Sequence, residues 1–192
     1  MSERVPASLL VALGDLVNWL DAARVPSMVI GGIAASILGR PRLTQDIDAL
    51  ALLAESDWAR AIDVAAHHGI VPRIENPLDF ARRSRVLLMT HEASGIDMDI
   101  AFSSLSFEQT AIEMSEVHDV GGLRVHLPRI EDLLVMKAVA GRPKDLQDIE
   151  GLLAAHPNAK IAVARQWIRE FAIAMSMPDI LDEFDKLVAR SK

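Results

Sequence analysis

Two aspartates one residue apart, Asp46 and Asp48 in Thr44-Gln45-Asp46-Ile47-Asp48-Ala49-Leu50, are the residues best suited to chemistry in this chain. On a β-strand this spacing sends both side chains to one face. The neighbours Ile47, Ala49, Leu50, Ala51 and Leu52 mark the run as a strand buried on at least one side. Same-face carboxylates beside a core are costly unless something compensates their charge, and a hard divalent cation suits that role. Upstream, Gly31-Gly32 follows the apolar Val29-Ile30. Paired glycines permit close backbone approach, and the free N–H groups of a helix starting there favour an anion such as phosphate. A cation beside a phosphate points to metal-dependent chemistry on a nucleotide.

A second strand repeats the pattern. Asp97 and Asp99 alternate with Ile96, Met98 and Ile100, so two strands could present up to four carboxylates towards one point. Close carboxylates raise one another's pKa unless cations intervene. Asp99 is favoured over Asp97 as a third ligand, because it lies deeper in the apolar run and is followed by Ile-Ala-Phe. Magnesium takes oxygen ligands and usually combines one or two carboxylates with substrate phosphates, polarising a phosphoryl oxygen. Lys137 lies mid-helix among Leu133, Leu134, Met136 and Val139. It either snorkels to the surface or reaches into a cleft to meet triphosphate. In the following Arg142-Pro143-Lys144-Asp145-Leu146-Gln147-Asp148, helical spacing allows local ion pairs such as Lys144 with Asp148. Arg40, Arg42, Arg73, Arg82, Arg83 and Arg85 supply positive charge in the first half, and residues 82–85 read as solvated surface.

The elements that must position these residues are legible from periodicity. Leu9, Leu13, Leu16, Val17 and Leu20 make residues 7–23 an amphipathic helix. A short strand over 25–30 ends at the glycines. A short helix over 33–38 ends at Gly39, with Arg40-Pro41-Arg42 as a break, and the first carboxylate strand covers 46–53. Residues 55–68 form a helix stopped by Gly69, whereas 70–84, with Pro72 and Pro77, read as irregular. Strands follow at 86–90 and Ile96–Phe102, and Gly121-Gly122 suits a hairpin turn between 117–120 and Leu123–Leu127. Helices then cover 130–139, stopped by Gly141, and 143–155, opened by Pro143 in its first turn. Two more cover 160–175 and 179–190. The expected order is mixed α and β over 1–127 and helix alone over 128–192, with no internal repeat.

Composition bounds the reading. At 192 residues and 51% hydrophobic content the chain can bury a sizeable core. Its apolar runs are short and interrupted, so no membrane span is expected, and Met-Ser-Glu-Arg-Val-Pro opens no secretion signal. Cysteine is absent, which removes disulfides and thiolate chemistry and fits a cytoplasmic location. A net charge of -7 leans away from long duplex DNA. The histidines show no metal-ligand spacing, and there is neither a Gly-x-Ser-x-Gly elbow nor a P-loop.

On Gly31, Gly32, Asp46, Asp48 and Asp99, the chain resembles the nucleotidyltransferase superfamily that includes DNA polymerase beta. Arg42-Leu43-Thr44-Gln45-Asp46-Ile47-Asp48 is similar to the Arg-x-Thr-x-Asp-Ile-Asp of its AbiEii/MenT-like toxin and related bacterial branch. Glu131-Asp132-Leu133, Lys137, Arg142, Lys144-Asp145 and Asp148-Ile149 resemble that branch's helical segment, so the likeness spans roughly residues 25–155. Many active members carry Ser or Thr after Gly-Gly, or Gly-Ser itself; this chain has Ile33. The resemblance implies an α+β fold, a small mixed sheet flanked by helices, with residues 1–127 as catalytic core and 128–192 packed against it. It also implies a Mg2+- or Mn2+-dependent enzyme that moves a nucleoside monophosphate from an NTP to an acceptor hydroxyl on RNA, protein or a small molecule. Asp46, Asp48 and Asp99 would be the metal-binding and catalytic residues, and Gly31, Gly32, Lys137, Arg142 and Lys144 would hold the nucleotide. The branch further implies a toxin–antitoxin component with a cognate antitoxin. The alternative, favoured by Ile33, is a non-catalytic partner-binding module or degenerate enzyme on the same fold.

Overall fold

The computed structural model describes residues 6–191; residues 1–5, most of the segment read as lacking a secretion signal, lie outside them. The chain runs α1 (Ala7–Ala22), β1 (Ser27–Val29), α2 (Gly31–Leu38), β2 (Asp46–Ala51), α3 (Trp58–Ala66), β3 (Ile70–Pro72), α4 (Pro77–Ser84), β4 (Val86–His91) and β5 (Ile96–Phe102). It continues through α5 (Ser106–Glu113), β6 (Glu116–Val120), β7 (Leu123–Leu127), α6 (Ile130–Ala140), α7 (Pro143–Ala155), α8 (Ile161–Ala174) and α9 (Asp179–Arg190). The fold is α+β. A five-stranded mixed sheet has the order β1-β2-β5-β4-β3, and β6-β7 form a separate hairpin.

Only β2 and β5 run parallel; every other pairing in the sheet is antiparallel. Their register sets Asp46 beside Asp97 and Asp48 beside Asp99. Because side chains alternate, Ile47, Ala49 and Ala51 join Met98, Ile100 and Phe102 in the main core. Asp46 and Asp48 share the opposite face with Leu50, which is buried in a smaller apolar cluster with Met28 and with Ala111 and Ile112 of α5. The second face is therefore apolar at one end and acidic at the other.

Helix α1 buries Leu9, Leu13, Leu16 and Leu20 of the anticipated stripe and leaves Val17 half-buried, and its Trp19 indole donates to the carbonyl of Ala61 in α3 at 2.8 Å. Asp15 of α1 also meets His91 at the end of β4, 2.9 Å from Nε2, while His91 Nδ1 lies 2.7 Å from the Ser94 hydroxyl. These contacts fix α1 and the β4–β5 turn to the rear of the sheet. The hairpin turn is the two-residue type with positive φ at both Gly121 (63°) and Gly122 (90°), as its handedness requires.

Three local expectations change. Residues 70–84 are not irregular: Ile70–Pro72 is a short edge strand and Pro77–Ser84 a helix. An edge position tolerates Pro72. Pro77 opens α4, with Asp79 in its first turn and Arg82 and Arg83 in its last, so each charge complements the helix dipole. Residues 103–116, where no element was expected, contain α5, whose Glu108 carboxylate accepts from the backbone N–H groups of Ser104 (2.7 Å) and Leu105 (3.0 Å). Helix α2 begins at Gly31 rather than after the glycines, so both glycines lie in its first turn. No helix among the described residues is long and apolar enough to cross a membrane.

Candidate functional site

Gly31 has φ +64°, and a Cβ built there would overlap the Asp48 carboxylate. Only glycine lets the start of α2 and the Asp48 side chain occupy adjoining space. A Cβ at Gly32 would lie 2.7 Å from the Thr44 hydroxyl and 3.1 Å from Nη2 of Arg42. The glycine pair is thus a cradle for the segment that carries the aspartates. The first-turn N–H groups of α2 have no carbonyl earlier in the helix to donate to, and they open beside Asp48. Ile33, by contrast, is 1% exposed and packs into the core. A hydroxyl at that position would point away from the aspartates, so the anion contacts available here come from backbone.

Asp46 is exposed and accepts from the Thr44 hydroxyl at 2.9 Å. Asp48 is half-buried, and its carboxyl is pushed above the usual carboxylate range by burial first, then by the charges of Asp46 and Asp99. Lys137 and Arg142 counteract part of that shift. An all-oxygen pair whose ionised form is penalised in this way is suited to a hard cation. Asp46 and Asp48 fit that group. Asp99 faces the same side but is held by Arg73, whose Nη2 lies 2.8 Å from its Oδ1. Asp97 is more exposed and lies 3.6 Å from the same guanidinium. No three His, Asp or Glu side chains among the described residues close around one point as a metal cage.

Behind the aspartates lies a buried ionic network. Asp145 and Asp148, one turn apart on α7, face α6, and the Lys137 ammonium sits between them at 3.0 Å and 2.7 Å. Arg42 closes the other side of Asp148 with two hydrogen bonds of 2.8 Å and 3.0 Å. Arg142 caps Asp145 through Nε at 2.6 Å. Burial alone would raise both carboxyls, but hydrogen bonds from Arg142 and Lys137 hold Asp145, and those from Arg42 and Lys137 hold Asp148, below the usual range.

The network revises two readings. The local pair Lys144–Asp148 does not form, because Asp148 turns inward to Lys137 and Arg42 while Lys144 stays exposed without an ion pair among the described residues. Lys137 is 3% exposed and committed to two carboxylates, so it reaches Asp48 by its field rather than offering its ammonium to a phosphate. Arg142, with a side chain 57% exposed, stands at the lip of the site, and its guanidinium is stabilised by Asp145 and by the charges of Asp48 and Asp46.

The pairings of Arg73 with Asp99 and of Arg42 with Asp148 are the site contacts that sequence reasoning did not identify. Arg73 follows a strand too short to show periodicity, and the partners of Arg42 lie 106 residues away. A separate cavity of about 370 Å³, lined by Leu16, Met28, Ile112, Arg124 and His126 among others, includes none of the candidate carboxylates.

Comparison with known proteins bears on the family and the fold. Residues 10–180 match the family described as nucleotidyl transferase of unknown function (DUF2204). No curated protein sequence matches the chain. Among solved structures, the solution structure of the antibiotic-resistance factor ANT(2'')-Ia is similar with a TM-score of 0.58 at 11% identity, over 88% of this chain and 95% of that one. A crystal structure of ANT(2'')-Ia in complex with adenylyl-2''-tobramycin gives 0.47 at 14% identity, over 95% and 99% of the two chains. The CCA-adding enzyme with CTP gives 0.39 at 14% identity, over 98% of this chain and 52% of that one. At such identity the first likeness concerns the fold alone.

Proposed function

This chain belongs to that nucleotidyl transferase family, and we propose that it is a divalent-cation-dependent enzyme that moves a nucleoside monophosphate from an NTP to an acceptor hydroxyl. The observation that carries the reading is the fit of Gly31 against Asp48: a glycine-opened helix start and a same-face aspartate pair share one small volume. Asp46 and Asp48, with Asp99 as the third carboxylate, would hold Mg2+ or Mn2+, which when bound supplies charge neutralisation and orientation at the phosphates. The backbone N–H groups at Gly31 and Gly32 would bind a phosphate oxygen, and Arg142 and Lys144 would neutralise charge at the lip of the site. The acceptor oxygen would form its bond to the α-phosphorus as the bond to pyrophosphate breaks, and Asp99 would take the acceptor's proton. Such a transfer relies on positioning and charge more than on covalent chemistry by the protein. Residues 1–127 would carry the reaction, and 128–192 would wall the cleft through the Lys137 network.

Arg42-x-Thr44-x-Asp46-Ile47-Asp48 and the 131–149 segment support kinship with the AbiEii/MenT-like branch, and with it a toxin whose cognate antitoxin is a partner. RNA, a protein side chain and a small molecule all remain acceptors compatible with the open acidic face. Incubation with each labelled NTP, Mg2+ or Mn2+ and total cell extract tests the proposal. Label should pass to one acceptor class, and Asp46→Asn and Asp48→Asn should each abolish it; unchanged transfer by those variants overturns the assignment. A second reading, a non-catalytic binding module, is favoured by one observation: Asp99 is paired with Arg73 rather than turned to Asp48. Calorimetry decides between them, since a module would bind no NTP at millimolar concentration in the presence of Mg2+.

A further inference from the structure

Asp99 is the residue best placed to complete the Asp46–Asp48 pair, and it is already engaged. Its position opposite Asp48 in the parallel β2–β5 register leaves the two strands only about 4.8 Å apart. Yet its Oδ1 lies 2.8 Å from Nη2 of Arg73, a charge contact without hydrogen-bond geometry that leaves this buried oxygen with no donor. Arg73 is itself anchored: its backbone N–H donates to the Leu88 carbonyl at 3.1 Å, and its Nη1 to the Met89 carbonyl at 3.3 Å. The same guanidinium lies 3.6 Å from Asp97, so one cation spans both β5 carboxylates. A guanidinium does not deprotonate in proteins, so the contact is broken by movement of one partner and not by loss of the arginine's charge.

We propose that Arg73 is a resident counter-cation that competes with a divalent ion for Asp99 and thereby sets the cation affinity of the site. The proposal rests on the metal-dependent reading above. Without a divalent ion, Asp46, Asp48 and Asp99 repel one another on one sheet face; Arg73 relieves that repulsion by drawing Asp99 towards β3. The Arg73–Asp99 side chains are 25% and 39% exposed, so the pair is held weakly enough to exchange. Entry of a divalent ion at Asp46 and Asp48 then recruits Asp99 and frees Arg73. The freed guanidinium stays tethered beside the site by its backbone bond to β4, where the triphosphate's charge would need it.

Mn2+ binding to the full chain, followed by the electron paramagnetic resonance signal of the free ion, tests this without any turnover. Four proteins are compared: wild type, Arg73→Ala, Asp99→Asn and the double variant. Arg73→Ala should bind Mn2+ about fivefold more tightly, the scale expected for loss of a half-exposed competing ion pair. That gain should disappear when Asp99→Asn is also present, because the competition is for this carboxylate. Unchanged or weaker binding by Arg73→Ala overturns the proposal. A gain that survives Asp99→Asn also overturns it, since the effect would then be general charge removal. If Arg73→Ala does not fold by circular dichroism, Arg73→Gln, which keeps most of the stem, takes its place. Absence of Mn2+ binding by both wild type and Arg73→Ala would instead overturn the metal site itself, a separate failure.

Discussion

Lys137→Met removes one cation from the centre of the α6–α7 interface and leaves the rest of the network in place. The lysine is 3% exposed and its partners Asp145 and Asp148 are 0% and 7% exposed, so water cannot replace the lost charge. Removing one partner of a buried ion pair typically costs about 3–5 kcal/mol. Here each carboxylate keeps a guanidinium, Arg142 for Asp145 and Arg42 for Asp148, which places the expected cost at the lower end, ~3 kcal/mol. For a chain of this length each kcal/mol shifts the melting temperature by about 2–4 °C, so a drop of roughly 6–12 °C is expected.

The pH dependence carries the sharper test. Despite the opposing effect of burial, both carboxyls sit below their ordinary range in the folded protein. Their stabilisation is therefore fully present above the unfolded carboxylate pKa and is lost as pH falls through the depressed folded values. The gap between wild type and Lys137→Met should be full at neutral pH and shrink as pH falls below about 4. Urea unfolding at neutral and acidic pH, with midpoint and slope compared, measures both quantities. A loss under ~1 kcal/mol at neutral pH, the scale of an exposed pair, would refute the claim that this lysine is structural. So would a deficit that is the same at every pH.

Other consequences follow from the same geometry. Asp48→Asn should abolish transfer while raising stability at neutral pH, because an acid held above its ordinary pKa by burial and like charges costs stability once ionised; thermal melts that show Asp48→Asn less stable than wild type would contradict this. Mg2+ should raise the wild-type melting temperature and leave that of Asp48→Asn unmoved. Gly31→Ala should cost more than Gly69→Ala, although both have φ near +65°, since only Gly31 lies against a side chain while Gly69 has nothing within 4 Å of its would-be Cβ. The strain at Gly69 should be near ~1 kcal/mol, so equal denaturation midpoints for the two variants would remove the cradle argument.

How much of this was legible in the sequence depends on the range over which each contact acts. The same-face placement of Asp46 and Asp48 needed only strand alternation, a property of adjacent residues, and the strand delivers it. The α6 stop at Gly141 and the hairpin at Gly121-Gly122 were legible for a similar reason, each being a backbone requirement met by one residue type. Helix α4 carried its own signals, Pro77, Asp79 and the two arginines, but two prolines in fifteen residues masked them. Nothing local could pair Asp148 with Arg42 or Asp99 with Arg73, because charge has no periodicity and each guanidinium could have served any neighbouring carboxylate.

That difference separates the two halves of the candidate site. The half proposed to hold the nucleotide is written in short range: glycines where a Cβ would collide, aspartates at period two. The surrounding half is written in long range, by Lys137, Arg42 and Arg73, whose choice of carboxylate is settled only when β2, β5, α6 and α7 assemble. Arg42 shows how the halves join. Its guanidinium clamps Asp148 on one side and crowds Gly32 on the other, and Thr44, two residues on, donates to Asp46. Through that loop a perturbation at α7 is expected to reach Asp46, so Asp148→Asn should loosen Mn2+ binding without touching the ion. If cation affinity is unchanged in a folded Asp148→Asn variant, the helical wall and the acidic face are independent, and the clamp serves stability alone.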